Sequence, residues 1–169
     1  MPSPRFLQLD DIPAYRTLRA ENLIDAPWSS GATPGNDPTE SSGYLEKIIA
    51  ANDQHLIVLD HPNNADQLAS AAGLLRYPSE KTSHRAMIWG VYTTPSLRQR
   101  GYARQVLQHA IESAKQWDGL RYIALSVSAS SESAIALYES LGFKQWGTEP
   151  DVVHIDGKDY DELYMALKL

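Results

Sequence analysis

From residue 103 to residue 114 the apolar positions Ala103, Val106, Leu107, Ala110, Ile111 and Ala114 recur at spacings of three and four. Arg104, Gln105, Gln108, His109, Glu112, Lys115 and Gln116 fill the places between and just after them. This is the pattern of a helix with one buried face, and Asp118-Gly119 ends it. Ahead of it, Met87 to Thr93 is a strand-like run. Pro95, which has no N–H to donate, breaks the ladder. The segment predicts a strand, a short turn and a helix.

The same patterning predicts the remaining elements. Arg5 to Leu9 is a short strand, and Asp10 caps a helix whose apolar face is Ile12, Tyr15 and Leu18, with Pro13 in its first turn. Leu23 to Asp37 is rich in Pro, Ser, Gly and Asp and predicts a long loop carrying Trp28. Asp37-Pro38-Thr39-Glu40 resembles a capping box opening a second helix, with Tyr44, Leu45, Ile48 and Ile49 on its buried side. His55–Asp60, Leu68–Tyr77 and the strand ending at Thr93 predict an antiparallel meander. Leu120–Val127 is an apolar run that arrives by a helical crossover, so it should lie parallel to the strand near Val91. Ser128–Ser133 is a small polar turn in which Ser130 or Ser131 can cap the helix of Ala134, Leu137, Tyr138 and Leu141. Gly142 stops that helix and Phe143 starts the next strand. Asp156-Gly157 predicts a hairpin between Val152–Ile155 and Tyr160–Leu167.

The turn Arg98-Gln99-Arg100-Gly101-Tyr102-Ala103 lies where a helix begins. The first helical N–H groups have no partner there and the helix dipole is positive. Gly101 lets an anion reach the backbone, and Arg98 and Arg100 add charge. Neither G-x-x-x-x-G-K-[ST] nor G-x-G-x-x-G occurs, which excludes a P-loop and a dinucleotide fingerprint.

The spaced set Val91-x-x-x-Pro95-x-x-Arg98-x-x-Gly101-x-Ala103, then Leu125-x-Val127, Ala134, Leu137-Tyr138-Glu139 and Gly142-Phe143, resembles the GCN5-related N-acetyltransferase (GNAT) family. The resemblance covers about residues 86 to 146. It implies an α/β (α+β) fold with a central twisted, mixed, mostly antiparallel sheet of about seven strands and about four helices, formed by a single domain over residues 1–169. It implies acetyl-CoA as co-substrate, its pyrophosphate cradled by residues 98 to 104, Arg104 included. Pantetheine would lie along Val91-Tyr92-Thr93, and a backbone N–H near Tyr92 would polarise the thioester carbonyl. Tyr138 would protonate the departing thiolate, and the first two helices with their connection would frame the acceptor. Many relatives carry Asn at the place of Ser131, where it can hold the pantetheine arm; Ser131 is shorter and makes fewer hydrogen bonds.

Composition narrows the chemistry. The chain has 169 residues, enough for one domain with a substantial core, and 43% of them are hydrophobic. A net charge of -6 argues against a nucleic-acid surface. There is no cysteine, hence no disulfide, thiolate metal site or acyl-cysteine intermediate. The histidines have no metal spacing, so no metal is expected. With no transmembrane-length run or leader pattern, the expected location is the cytoplasm, with no membrane partner. A homodimer stays open.

Direct transfer to an amine needs a base. Glu21, Asp25, His84, Glu149, His154 and Glu162 qualify by residue type. Glu21 is preferred because its helix should face the acceptor, a small-molecule or peptide amine. Trp28 and Asp25 suit a cationic amine. Two functions remain open at this point: an acetyltransferase, or a non-catalytic module of the same fold that binds or senses acyl-CoA. Transfer of a different short acyl group is also open.

Overall fold

The computed structural model describes residues 2–169. Seven strands form one sheet: β1 (Arg5–Phe6), β2 (Gln54–His61), β3 (Asn64–Arg76), β4 (Arg85–Thr93), β5 (Tyr122–Ser128), β6 (Lys144–Ile155) and β7 (Lys158–Lys168). The four helices are α1 (Ile12–Asp25), α2 (Tyr44–Ala50), α3 (Tyr102–Ala114) and α4 (Glu132–Ser140). Spatial order is β1-β2-β3-β4-β5-β7-β6, antiparallel throughout except for the parallel pair β4–β5. This is the mixed sheet expected, with the crossover and the meander in the expected places. No helix is long and apolar enough to cross a membrane.

Two apolar clusters cover the two faces. On one face, α3 and α4 pack Val106, Leu107, Ala110, Ile111 and Tyr138 against Ile57, Leu59, Leu74, Ile88, Ile123, Leu125 and Met165. On the other, α1 and α2 bring Ile12, Tyr15, Leu18, Leu45 and Ile48 onto Leu56, Val58, Ala71 and Tyr92.

Several local expectations shift. The first strand stops at Phe6, and Asp10 lies inside a 3-10 turn, Leu9–Asp11. Asp11 rather than Asp10 precedes α1, its carboxylate accepting the Gln8 N–H at 2.8 Å. α1 runs on to Asp25, so the loop is shorter than its composition suggests. Asp37 caps only a 3-10 turn, Pro38–Glu40, by accepting the Thr39 N–H; Ser41 is extended and α2 starts after Gly43. α4 starts at Glu132 with Ser131 in the cap position, yet the Ser131 hydroxyl makes no capping bond. β6 begins at Lys144, one residue after the expected start at Phe143, and runs on to Ile155, so that strand and the Val152–Ile155 hairpin arm are one.

A buried ion pair ties the α1–α2 connection to α1. Arg19, 9% exposed, bonds the Asp37 carboxylate through Nε and Nη2 at 2.9 and 2.6 Å, and Nη1 reaches Asn22 at 2.7 Å. Burial alone would push the Asp37 carboxyl up; hydrogen bonds from Thr39 and Arg19 override it and hold the group below the usual carboxylate range. A depressed native pKa stabilises the fold above the unfolded value of about 3.9 and loses that contribution as pH falls through the lower native value. Asp37→Ala leaves Arg19 buried and unpaired and should cost about 3–5 kcal/mol in urea unfolding at pH 7. Asp37→Asn should also flatten the acid limb of stability below about pH 4. A variant with wild-type stability at both pH values would remove this pair from the account of the loop.

Candidate active site

The site begins where β4 and β5 part. They pair only at Arg85–Met87 with Tyr122–Ala124. Beyond that, β4 carries a bulge: Gly73 and Ala71 of β3 face Trp89 and Tyr92, so one extra residue is accommodated on β4. Gly90 takes φ 60 there, a left-handed conformation that glycine tolerates. The bulge resets the side-chain alternation, so that Ile88 and Val91 face the α3 cluster while Trp89 and Tyr92 face α1. The outcome is a cleft between Val91-Tyr92-Thr93 and Leu125–Ser128.

The turn before α3 follows β4 and a 3-10 turn, Pro95–Leu97. Gln99 and Gly101 have φ 61 and 81, and the first helical bond is from the Gln105 N–H to the Gly101 carbonyl at 3.1 Å. The N–H groups of residues 99 to 104 have no hydrogen-bond acceptor among the described residues. A Cβ built on Gly101 meets nothing within 4 Å. A row of free amides over open space at a helix N-terminus fits a diphosphate. Tyr102 is buried in the core and fixes the helix, with Ala103 in its first turn. Arg100 has no protein partner among the described residues. Arg104 reaches Ser140 of α4 at 2.7 Å, so it links the two helices.

Arg98 points elsewhere. Its Nε donates to the Thr93 carbonyl at 3.1 Å, its guanidinium lies 5.4 Å from the Tyr92 ring centroid, and Nη2 is hydrogen-bonded to Asp25. Tyr92 also donates its hydroxyl to Asp25, at 3.2 Å. Burial first, then the charges of Glu21 and Asp25, raise the Tyr92 phenol above its ordinary value, so it stays a donor. Asp25 therefore holds Arg98 and Tyr92 in the structure. The Thr93 hydroxyl meets Ser70 Oγ at 2.9 Å inside the sheet.

Tyr138 projects from α4 into the core cluster that includes Leu97, Tyr102, Leu125 and Val127, residues that border the turn and β5. It is 6% exposed, its ring is 6.0 Å from Phe143, and its hydroxyl has no hydrogen-bond partner among the described residues. Burial pushes its phenol up, which keeps it protonated at neutral pH. Ser131 is half-buried at the start of α4, near the Ser128–Ser130 hydroxyl pair at 2.8 Å.

Trp28 sits in a 3-10 turn, Pro27–Ser29, that lies against β5 and β6. Its ring stacks on Tyr160 of β7, with centroids 6.1 Å apart and planes at 15°. Composition gave no sign of the Tyr160 contact, because the partners are far apart in sequence. Glu21 accepts the Thr94 hydroxyl at 2.8 Å and lines a cavity of about 540 Å³ bounded by the β2–β3 hairpin, including His61, Asp66 and Gln67. Trp28 is not in that lining, so the preferred base and the acceptor tryptophan occupy different places. Gly90 went unnoticed as a candidate, although an isolated glycine within a strand pattern is the ordinary signal of a bulge.

Comparison with known proteins places this geometry. The model of the acetyltransferase (GNAT) family matches residues 20–143. The [ribosomal protein bS18]-alanine N-acetyltransferase of Salmonella typhimurium is 38% identical over 82% of this chain and 78% of its own length. A GNAT-family acetyltransferase structure from Streptococcus pneumoniae superposes with TM-score 0.85 at 18% identity, covering 100% of this chain and 99% of that one. An acetyltransferase of Salmonella typhimurium, solved with its cofactor acetyl-CoA, gives 0.82 at 17%, covering 100% and 94%. The chain belongs to the GNAT acetyltransferase family. It is an N-acetyltransferase, which decides against the non-catalytic module.

Gly101→Val would fill the open space over the amides and strain a residue at φ 81. Calorimetry on the folded variant should find acetyl-CoA bound more than tenfold more weakly, over ~1.4 kcal/mol. Unchanged affinity would mean that the phosphates bind elsewhere.

Proposed function

We propose that this protein transfers the acetyl group of acetyl-CoA directly to a primary amine, with the α-amine of an alanine-initiated polypeptide as the first acceptor to test. The observation that carries the reading is the row of unpartnered amides at residues 99 to 104 opening onto the β4–β5 cleft, with Tyr138 packed beside it. The choice of acceptor draws on the named substrate of the relative that is 38% identical.

In this reading the amides of 99 to 104 bind the diphosphate, with Arg100 as the free side-chain cation of the turn. Arg98 braces the end of β4 through Asp25 and leaves phosphate binding to the backbone. Val91, Tyr92 and Thr93 form one wall of the channel for the pantetheine arm, and Ser131 stands at its α4 end. A free N–H on β4 near Tyr92 stabilises the oxyanion that forms when the amine attacks the thioester carbonyl. Tyr138 gives its proton to the departing sulfur. Burial raises both the phenol and a thiol in the same pocket, because it disfavours both anions, so the small gap between their ordinary values of about 10 and 8.5 is preserved. Trp28 and Tyr160 roof the acceptor side, where aromatic faces and nearby carboxylates favour an ammonium.

The primary test is thiol release from acetyl-CoA with three acceptors: an alanine-initiated peptide, an N-terminally blocked lysine peptide, and spermidine. Release with the first alone supports the α-amine; preference for another moves the acceptor class. Release with none of them sinks the transfer reading.

Tyr138→Phe keeps the ring in the core and removes only the hydroxyl. Under rate-limiting chemistry its kcat should fall at least tenfold with little change in acetyl-CoA binding, since general acids contribute about 10²–10⁴. A near-normal kcat would leave Tyr138 a packing residue. Trp28→Ala should raise the acceptor KM more than the acetyl-CoA KM. Two unchanged constants would take Trp28 out of the pocket.

A further inference from the structure

The amine must lose a proton before it attacks, and the structure sorts the six side chains able to take one. Glu21 is hydrogen-bonded to Thr94 and lines the separate hairpin cavity. Asp25 is committed to Arg98 and Tyr92. His84 precedes β4 at the end where the two strands still pair, its carbonyl accepting the Arg121 N–H at 2.8 Å, away from the parting. His154 is bonded to Asp159 at 2.6 Å on the exposed hairpin. Glu149 is exposed and accepts the Tyr164 hydroxyl. Glu162 is half-buried and its carboxylate has no hydrogen bond or ion pair among the described residues; the His84 ring shares both properties but lies at the paired end of β4.

Its position suits the task. Glu162 of β7 lies opposite Ser128, the last residue of β5, on the strand that borders the cleft. Along β5, Ile123, Leu125 and Val127 face the α3–α4 cluster, and along β7 so do Leu163, Met165 and Leu167. Strand alternation puts Ser128 and Glu162 on the opposite face. There the Trp28 turn lies against β5. Ser128 is 3% exposed, while Ser126, two residues earlier on the same face, is open to solvent. Tyr160, two residues before Glu162 on its own face, is the ring that Trp28 stacks on. Glu162 therefore lies on the sheet face against which the Trp28 turn packs, opposite the face that carries Tyr138, with Glu149 across from it on β6 and Tyr160 and Tyr164 two residues to either side on β7.

We propose that Glu162 is the general base of the transfer; this rests on the acetyltransferase reading above. The carboxylate takes one proton from the bound ammonium, and the freed nitrogen lone pair forms the C–N bond to the thioester carbonyl carbon. As the C–S bond breaks, its electron pair leaves on sulfur, which receives the Tyr138 hydroxyl proton. The nitrogen gives up its second proton to the Tyr138 oxygen, restoring the phenol, and Glu162 releases its proton to water. The products are the acetamide, the free thiol and one proton.

The test compares wild type, Glu162→Gln and Glu162→Asp with acetyl-CoA and the alanine-initiated peptide from pH 6 to 9.5. Glu162→Gln should lose about tenfold in kcat/KM at pH 7 and about 100-fold at pH 6, following the neutral fraction of an amine of pKa about 8, while binding acetyl-CoA as wild type does in calorimetry. Its kcat/KM should then climb close to tenfold per pH unit toward the amine pKa of about 8, because only the fraction already neutral reacts, and approach wild type above it. Glu162→Asp should recover part of the rate and the wild-type pH profile. A Glu162→Gln enzyme with wild-type rate and profile would overturn the assignment while leaving the transfer reading intact. A loss that persists at pH 9.5, or that tracks lost acetyl-CoA affinity, would make Glu162 structural and also overturn it. A wild-type enzyme that releases no thiol with any of the three acceptors overturns both.

Discussion

Everything at the site depends on two neighbouring strands that stop bonding to each other. β4 and β5 share a parallel ladder for Arg85–Met87 only. Beyond it each strand keeps its outer partner, β3 or β7, while the inner edges face each other unpaired. Unpaired backbone groups inside a sheet are costly unless something satisfies them. Two half-used strand edges therefore suit an extended chain that carries its own amides, the role proposed for the pantetheine arm. The bulge at Gly90 forces the parting and also sets which side chains face which layer, so one irregularity supplies both the channel and its walls.

The parts legible in the sequence are those whose cause is local. Period and punctuation alone located α3, its turn and the strand before it, because Val106, Ala110 and Gly101 act on residues within a turn or two of themselves. The Asp156-Gly157 hairpin was legible for the same reason, with both residues at positive φ, 49 and 77. What failed was local chemistry with two outcomes. Asp37-Pro38-Thr39-Glu40 satisfies the capping pattern equally well in one 3-10 turn as at a true helix start, and only the extended Ser41 decides between them. What stayed hidden was long-range. Asp25 meets Arg98 across 73 residues, and Trp28 meets Tyr160 across the sheet, so no window of sequence could pair them.

Those long-range contacts change how the residues should be weighed. By spacing, Arg98 counts as a phosphate ligand and Asp25 as an acceptor ligand. In the fold they neutralise each other and fasten the end of α1 to the first residue of the phosphate turn. At its other end the α1–α2 connection is held by Arg19 and Asp37. The segment bearing Trp28 is thus pinned at both ends to the rigid sheet–helix frame, which restricts the conformations it must lose when an acceptor arrives. Both pins are ion pairs, but they differ in kind. The Arg19–Asp37 pair is buried, where removing one partner is costly. Arg98–Asp25 is half-exposed and open to solvent screening.

The remaining charges separate along the same geometry. Tyr138 approaches the cleft from the α3–α4 side, dry and kept neutral by burial. Glu162 lies on the opposite face, next to the end of β5. An acid and a base on one wall would pair with each other and be lost to chemistry. On opposite faces of the sheet, with the parting between them, Tyr138 and Glu162 cannot pair, which is what the proposed acid and base roles require.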